Sequence, residues 1–429
     1  MKVLVVGSGG REHALCWKLR QSPLLTELYC APGNPGIAAV ADRVPLAADD
    51  IQELAEFAQE MRIDLTVVGP ELPLSLGIVD EFEKRGLAIF GPRRAAAEIE
   101  GSKVFSKEFM ARQGIPTAAF EVVRDVAAAR AACQRFGFPV VLKADGLASG
   151  KGVVIPQNEE ELAAALDMFF TQRRFGVSAD RVVVEQCLVG EEVSLIALSD
   201  GHRVLPLAAA KDYKRVGDGD SGPNTGGMGS HSPAGVLGAD EAAAVLEQVL
   251  RPTVDGLAAE NRPFRGFLYA GLMLTPDGPR VLEFNARLGD PEAQVLLLRL
   301  EDDLLPLLAA GAEGAFGTSR LHFRKEAAAC LVLASQGYPD RPVTGEPIDG
   351  LDEAAAVEGV AVFHAATALE DGRVVSAGGR VLNVCATGAN LAEALRRAYA
   401  AAAKIDWPSK ILRHDIGRRV VASVVAADS

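Results

Sequence analysis

Glu283, Asn285 and Arg287 stand at alternate positions of the run Arg280–Val295, which reads Arg-Val-Leu-Glu-Phe-Asn-Ala-Arg-Leu-Gly-Asp-Pro-Glu-Ala-Gln-Val. Neighbouring side chains of a strand point to opposite faces. A strand here therefore sets Val281, Glu283, Asn285 and Arg287 on one face and Leu282, Phe284 and Ala286 on the other, a core face. A carboxylate and an amide oxygen are hard donors that suit Mg²⁺. A guanidinium suits phosphate or carboxylate oxygens. The turn Gly289-Asp290-Pro291-Glu292 adds two carboxylates beside them. The alternative is an edge strand with a solvated polar face.

Such a face needs cations and backbone donors brought from elsewhere. Pro139–Lys143 reads as a strand that ends in a lysine. It continues into Ala144-Asp-Gly-Leu-Ala-Ser-Gly-Lys-Gly-Val153, a glycine-rich hairpin with Lys151 at its tip. This is not a P-loop, because Gly152 replaces the Ser or Thr that holds the metal. It suits a flap that closes over a triphosphate. Gly101-Ser102-Lys103 opens a helix that runs to about Gln113. The strand Arg181–Glu185 runs into Gln186-Cys187-Leu188, an apolar hinge that can offer backbone groups to a purine edge, and a carboxylate just beyond it could hold ribose hydroxyls. Lys211–Gly229 is rich in glycine and charge and reads as one long functional loop.

The N-terminal hundred residues supply a different kind of site. Lys2–Val6 is a buried parallel strand by composition, followed by Gly7-Ser-Gly-Gly-Arg-Glu-His13 and a helix from about Glu12 to Gln21. Strand, glycine turn and helix open a doubly wound fold that presents backbone N–H groups to an anion. Glu12 stands where the dinucleotide fingerprint needs glycine, so a smaller phosphorylated ligand fits better than NAD or FAD. Leu65–Val68 and Leu87–Phe90 continue the sheet, and Gly69-Pro70-Glu71 lies at a carboxyl end where ligands bind. Glu71 reads equally as a helix N-terminal carboxylate.

Composition limits the partners. A chain of 429 residues holds several domains, and a net charge of −13 argues against a general nucleic-acid or anionic-membrane binder. The six cysteines are scattered without a C-x-x-C, which implies reduced thiols in a cytoplasmic protein. The opening residues do not form a signal peptide, and no apolar run is long enough to span a bilayer. From Glu326 strands read at Ala327–Ala334, Gly359–Ala365 and Arg380–Ala386, with a helix at Leu391–Ala403. His364 reads as a satisfied strand histidine rather than a catalyst. The fold class is thus α/β and α+β multidomain. A doubly wound parallel-sheet domain spans 1–102, a central unit with a mobile lid at about 117–190 spans 103–324, and a small α+β domain spans 325–429.

Taken in order, the lysine strand, glycine flap, Glu-x-x-Leu hinge and Glu-x-Asn-x-Arg strand resemble the ATP-grasp superfamily. The segments 7–14, 143–152, 222–229 (Gly-Pro-Asn-Thr-Gly-Gly-Met-Gly) and 287–292 (Arg-Leu-Gly-Asp-Pro-Glu) narrow the resemblance to the phosphoribosylamine–glycine ligases, or glycinamide ribonucleotide synthetases, of de novo purine synthesis. It covers essentially the whole chain. The resemblance implies an ATP-dependent carboxylate–amine ligase that joins glycine to 5-phosphoribosylamine through glycyl phosphate. It is expected to be a cytoplasmic monomer with no nucleic-acid or membrane partner.

By the same resemblance, Glu283 and Asn285 would hold Mg²⁺ or Mn²⁺, and Lys103, Lys143 and Lys151 would contact the phosphates of ATP. Glu185, Gln186 and Leu188 would take adenine, and Glu192 the ribose. Arg287 would neutralise the transferring phosphoryl group. Asp212, Asn224, Thr225, Asp290 and Glu292 would serve glycine and phosphoribosylamine. Gly9, Gly10, Arg11, Glu12 and Glu71 would hold the ribose phosphate. Ser8 and Ala366 depart from the residues the resemblance leads one to expect, Asn and Gly. Tyr269–Met273 offers no further acidic ligand, which leaves the number of metal ions open. Two alternatives are another ribonucleotide-directed ATP-grasp enzyme, such as a carboxylase or transformylase, and a nucleotide-binding regulatory protein. Intact Lys143, Glu283, Asn285 and Arg287 speak against the second.

Overall fold

The computed structural model describes residues 1–146, 152–174, 176 and 180–427. The apolar runs of the first hundred residues form a parallel sheet in the order Asp42–Arg43, Glu27–Pro32, Lys2–Gly7, Leu65–Val68, Ile89–Phe90. Strand order reverses between Lys2–Gly7 and Leu65–Val68. At such a switch point a crevice opens beyond the strands' carboxyl ends. The glycine turn follows one of these strands and Gly69-Pro70-Glu71 the other.

Larger antiparallel sheets follow. The lid sheet runs Phe120–Val123, Val182–Gln186, Val140–Ala144, Val153–Val154, backed by the helices Val126–Phe136 and Glu159–Leu166. The flap residues 147–151, Lys151 among them, lie outside the described residues. The next sheet runs Val204–Pro206, Glu191–Asp200, Arg265–Thr275, Gly278–Asn285. Gly278–Asn285 is therefore an edge strand, but its polar face is turned to a cleft rather than to open solvent.

The even alternation expected for that strand fails at one point. Gly271 pairs with Glu283 while Leu272 pairs with Val281, so Leu282 bulges. A bulge shifts the phase of every residue on one side of it. Val281, expected beside Glu283, is fully buried in the same core as Phe284 and Ala286. Leu282, expected in that core, instead lines the cleft. Glu283, Asn285 and Arg287 keep the shared orientation the spacing implies.

Lys211–Gly229 also differs from the single loop expected. Lys211–Asp212 is a short strand, and Arg215–Gly217 pairs with Ser221–Asn224 as a hairpin. Gly219 (φ +67) and Gly222 (φ +79) take left-handed conformations that favour glycine, which makes the tight turn possible. Glycine content that reads as looseness thus serves turn geometry. Lys211–Asp212 and Gly229–Ser232 pair into the sheet built by Ala327–Ser335, Arg380–Gly388 and Val360–His364.

Helix packing brings the distant segments together. Ala14, Leu15 and Leu19 of helix Gly10–Leu19 share a core with Ala293, Leu296 and Leu297 of helix Glu292–Arg299. The first turns lie side by side: a Cβ built on Gly10 would sit 2.8 Å from Gln294 Nε2. The same helix is tied to the last sheet. His364 N donates to His13 Nδ1 at 2.8 Å, and Asn34 Nδ2 donates to His364 O at 2.8 Å. His364 is thus structural, as the sequence suggests.

Burial, with His364 adding to it, lowers the His13 pKa to about 3 from an ordinary 6.5. His13 is neutral in the folded chain, whereas the unfolded chain takes up a proton below about pH 6.5. Its contribution to stability is complete above that pH and is lost as pH falls towards 3. Between pH 7 and pH 5 the unfolding free energy should fall by about 2 kcal/mol on account of His13. Urea titrations at the two pH values should show His13→Gln losing less stability than the parent chain by about that amount.

Candidate active site

The polar face of Gly278–Asn285 opens into a cleft of about 1150 Å³ that reaches every sheet just described. Almost all the residues singled out in the sequence line it: Gly9, Arg11, Glu12 and Glu71 from the crevice; Lys103 from the start of its helix; Lys143, Glu185, Gln186 and Leu188 from the lid strands and hinge; Glu192 from the next sheet; Asp212, Asn224 and Thr225 from the hairpin region; and Glu283, Asn285, Arg287, Asp290 and Glu292. Gly10 does not line it, and a Cβ there would meet the Asn383 amide at 1.7 Å. Its lack of a side chain lets the helix lie against the last sheet.

Charge organises the centre of the cleft. Glu283 lies 3.5 Å from Lys103 Nζ and 3.6 Å from Lys214 Nζ. Burial opposes its negative charge, but Lys214, Lys103, Lys143 and Arg287 together outweigh burial and hold its pKa well below the carboxylate range. Lys214 also faces Glu192 at 3.7 Å. Burial works against its charge, yet Glu192 and Glu283 raise its pKa well above ordinary.

Behind this cluster lies a buried ion triad. Glu185 pairs with Lys107 at 2.8 Å and with Lys143 at 2.9 Å, and Lys143 Nζ also donates to Leu282 O at 2.9 Å. The Leu282 bulge thus aims a carbonyl at the strand-end lysine. Burial disfavours the Glu185 carboxylate, and the two lysines more than offset it. Burial also brings Lys107 down to about 8. Because its carboxylate is engaged by two lysines, Glu185 offers the cleft backbone rather than charge, next to Gln186 and Leu188.

Arg287 is fixed by two carboxylates, Glu100 at 2.9 Å and Glu71 at 3.2 Å. Glu100, 4% exposed, also accepts from Ala286 N at 2.7 Å. The Asn285 amide is satisfied when its nitrogen donates to Glu100 Oε1 at 3.2 Å and Phe284 O at 3.1 Å, which leaves Oδ1 as the atom offered to the cleft. One buried carboxylate therefore orients both the amide and the guanidinium. Among the described residues, no group of three or more His, Cys, Asp or Glu side chains is arranged around a metal position. Glu283 with Asn285 Oδ1 is a two-oxygen set. It fits Mg²⁺, which commonly takes one or two protein ligands and completes its shell with phosphate oxygens and water.

On the crevice side, Gly9 N donates to Glu12 Oε2 at 2.6 Å, and Arg11 Nε donates to Glu12 Oε1 at 2.5 Å. Glu12 thereby caps the helix and answers one of the amides that the glycine turn could have turned to an anion. Arg11 Nη1 reaches Leu288 O at 3.0 Å, and a Cβ on Gly9 would lie 3.5 Å from Asp290 Oδ2. The glycine turn and the Gly-Asp-Pro-Glu turn therefore meet. Burial raises Asp212 well above its ordinary pKa, and the neighbouring Glu292 adds to this. Glu292 accepts from Ser194 Oγ at 3.0 Å, and Ser194 Oγ shares a hydrogen bond with Tyr269 Oη at 2.8 Å.

Lys107, Lys214, Glu100, Ser194 and Tyr269 escape the sequence reading. Lys107 had a signal, since it stands one helical turn from Lys103 and shares its face. Lys214 lies in the charged run 211–220. Glu100, Ser194 and Tyr269 belong to ordinary helix and strand patterns and carried none. Glu100→Ala should lower turnover 10- to 100-fold while the chain stays folded, because supports of this kind typically matter by that factor. Steady-state rates alongside circular dichroism would show it.

Comparison with known proteins bears on the family. Models of the phosphoribosylglycinamide synthetase N domain, ATP-grasp (A) domain and C domain match residues 1–100, 101–293 and 328–419. The phosphoribosylamine–glycine ligase of Mesorhizobium japonicum is 51% identical over 422 residues, covering 98% of this chain and 99% of the relative. That of Pseudomonas aeruginosa is 49% identical over 425 residues, covering 98% of this chain and 99% of the relative. The crystal structure of the Thermotoga maritima phosphoribosylamine–glycine ligase superposes with a TM-score of 0.84 at 36% identity, covering 97% of this chain and all of that one. A biotin carboxylase from Campylobacter jejuni, at 14% identity and a TM-score of 0.72 over 96% of this chain and 92% of that one, shares the fold. With three domain models in register along the chain and half its residues shared with full-length relatives, the chain belongs to the phosphoribosylglycinamide synthetase family.

Proposed function

We propose that the chain is an ATP-dependent ligase that joins glycine to 5-phosphoribosylamine, giving glycinamide ribonucleotide, ADP and phosphate in purine biosynthesis. The observation that carries this reading is one continuous cleft with the cationic Lys103–Lys143–Lys214 cluster at one end and the crevice of the parallel sheet at the other. ATP would lie between the lid and the Gly278–Asn285 strand, with adenine along Glu185–Leu188 and the ribose at Glu192. A divalent ion, Mg²⁺ or Mn²⁺, held by Glu283 and Asn285 would neutralise charge on the phosphates. The working division of the chain is 1–102, 103–324 and 325–429.

The chemistry asks for positioning more than for a nucleophilic side chain. A glycine carboxylate oxygen attacks the γ-phosphorus, the bond to the β–γ bridging oxygen breaks, and ADP leaves. Arg287, fixed by Glu71 and Glu100, would face the charge that develops on the phosphoryl oxygens. The amine of phosphoribosylamine then attacks the acyl carbon and phosphate departs. The amine must lose a proton, which would pass to water or to a carboxylate of the cleft, with Asp212 and Glu292 at this end of it. Asn224, Thr225 and Asp290 would orient the two substrates. Gly9, Arg11 and Glu71, with Glu12 bracing the turn, would hold the ribose phosphate from the crevice.

The partner set would be these small molecules. Among the described residues, no helix is long and apolar enough to cross a membrane. ADP release should require ATP, Mg²⁺, glycine and phosphoribosylamine together, each omitted in turn in a coupled assay. ADP formed without glycine would point to another ATP-grasp reaction, and none under any condition would point to a binding protein.

A further inference from the structure

Two side chains from beyond residue 326, Arg380 of the last sheet and Tyr338 of the turn after its strand Ala327–Ser335, reach the acceptor end of the cleft, and none of the motifs described above includes them. Arg380 Nη1 donates to Gly226 O at 2.7 Å and to Asp290 O, and its Nη2 lies 3.4 Å from Asp290 Oδ2. Tyr338 Oη accepts from Gly226 N at 3.0 Å. Gly226 is therefore gripped at both its N–H and its C=O, and both gripping residues line the cleft. There is little slack: a Cβ on Gly226 would meet Arg380 Cζ at 3.0 Å, and one on Gly227 would meet Pro291 Cδ at 2.5 Å and Asp212 Oδ1 at 2.8 Å. Thr225 Oγ1 accepts from Gly227 N at 3.0 Å, which closes the same short segment.

A second clasp acts on the hairpin tip. Arg413, 1% exposed, donates to Asp220 Oδ1 at 2.9 Å and Arg215 O at 3.1 Å, and Asp415 accepts from Gly219 N at 2.9 Å. By contrast, the ion pairs of Lys103, Lys143, Glu185 and Glu283 described above all run to residues before 326. Residues beyond 326 thus reach the hairpin and the acceptor turn directly, whereas the ion pairs of Lys103, Lys143, Glu185 and Glu283 do not involve them.

We propose that Arg380 is a positioning residue for the acceptor half of the reaction, locking the Asn224–Gly227 segment against the Gly289–Glu292 turn so that the incoming amine is aligned. The inference rests on the ligase reading. A planar guanidinium can span two carbonyls and a carboxylate at fixed angles, which an ammonium on a flexible stem cannot. Misplacement of reacting groups by about 1 Å can reduce rate by about 100-fold.

The test compares Arg380→Lys, Arg380→Met and Tyr338→Phe with the parent chain. Steady-state kinetics are measured with phosphoribosylamine generated in situ, and Mg-ADP binding by calorimetry. Arg380→Lys and Arg380→Met should raise the KM for phosphoribosylamine at least tenfold with the Kd for Mg-ADP within twofold. Tyr338→Phe, at a half-buried position, should shift KM in the same direction by less. Parallel weakening of Mg-ADP binding would mean that Arg380 merely supports the fold and would overturn the inference, as would an unchanged KM. Should Arg380→Met fail to fold, the other two variants decide. A parent chain that releases no ADP with glycine would overturn the ligase reading itself, a distinct result.

Discussion

The cleft is built around one charge arrangement: Glu283, held among Lys103, Lys143, Lys214 and Arg287. Taking a carboxylate out of water is costly unless cations compensate, and cations gathered in one place repel each other unless a carboxylate lies between them. Each sign makes the other tenable. Lys103 comes from a helix start, Lys143 from the lid sheet, Lys214 from the hairpin region and Glu283 from the edge strand. The arrangement therefore couples these elements. It also gathers in one place the cations that a polyphosphate would need.

The supports are carboxylates of a second kind. Glu100 and Glu71 hold Arg287, and Glu185 holds Lys107 and Lys143. Buried pairs of this sort contribute little net stability, because desolvation offsets much of the attraction, but they fix geometry. In this cleft geometry is what matters, since the proposed reaction depends on aligned substrates rather than on a reactive side chain.

The fold class and the residues that line the cleft were legible in the sequence, whereas local details of the fold were not. Glu283, Asn285 and Arg287 were visible because side-chain period in a strand is strict, and strands such as Leu65–Val68 because their apolar runs are short and bounded. The Leu282 bulge was not visible, since nothing in Val-Leu-Glu marks an extra residue until the partner strand is present. The hairpin at Arg215–Asn224 looked like a loop because its glycines serve turns. Glu100 and Arg380 act across 90 residues of sequence or more, on Arg287 and Asp290, so only tertiary structure reveals them. Resemblance to known ligases, rather than spacing, identified the substrates.

On the proposed reading, Glu283 is where a divalent ion and a nucleotide meet within this cationic cluster. The most direct measurement is the Mg²⁺ dependence of ADP affinity in the parent chain and in Glu283→Gln. ADP should bind the parent chain more tightly as Mg²⁺ is added. In Glu283→Gln that dependence should disappear while ADP binding without Mg²⁺ persists, because the lysines remain. An equal Mg²⁺ dependence in both proteins would contradict it.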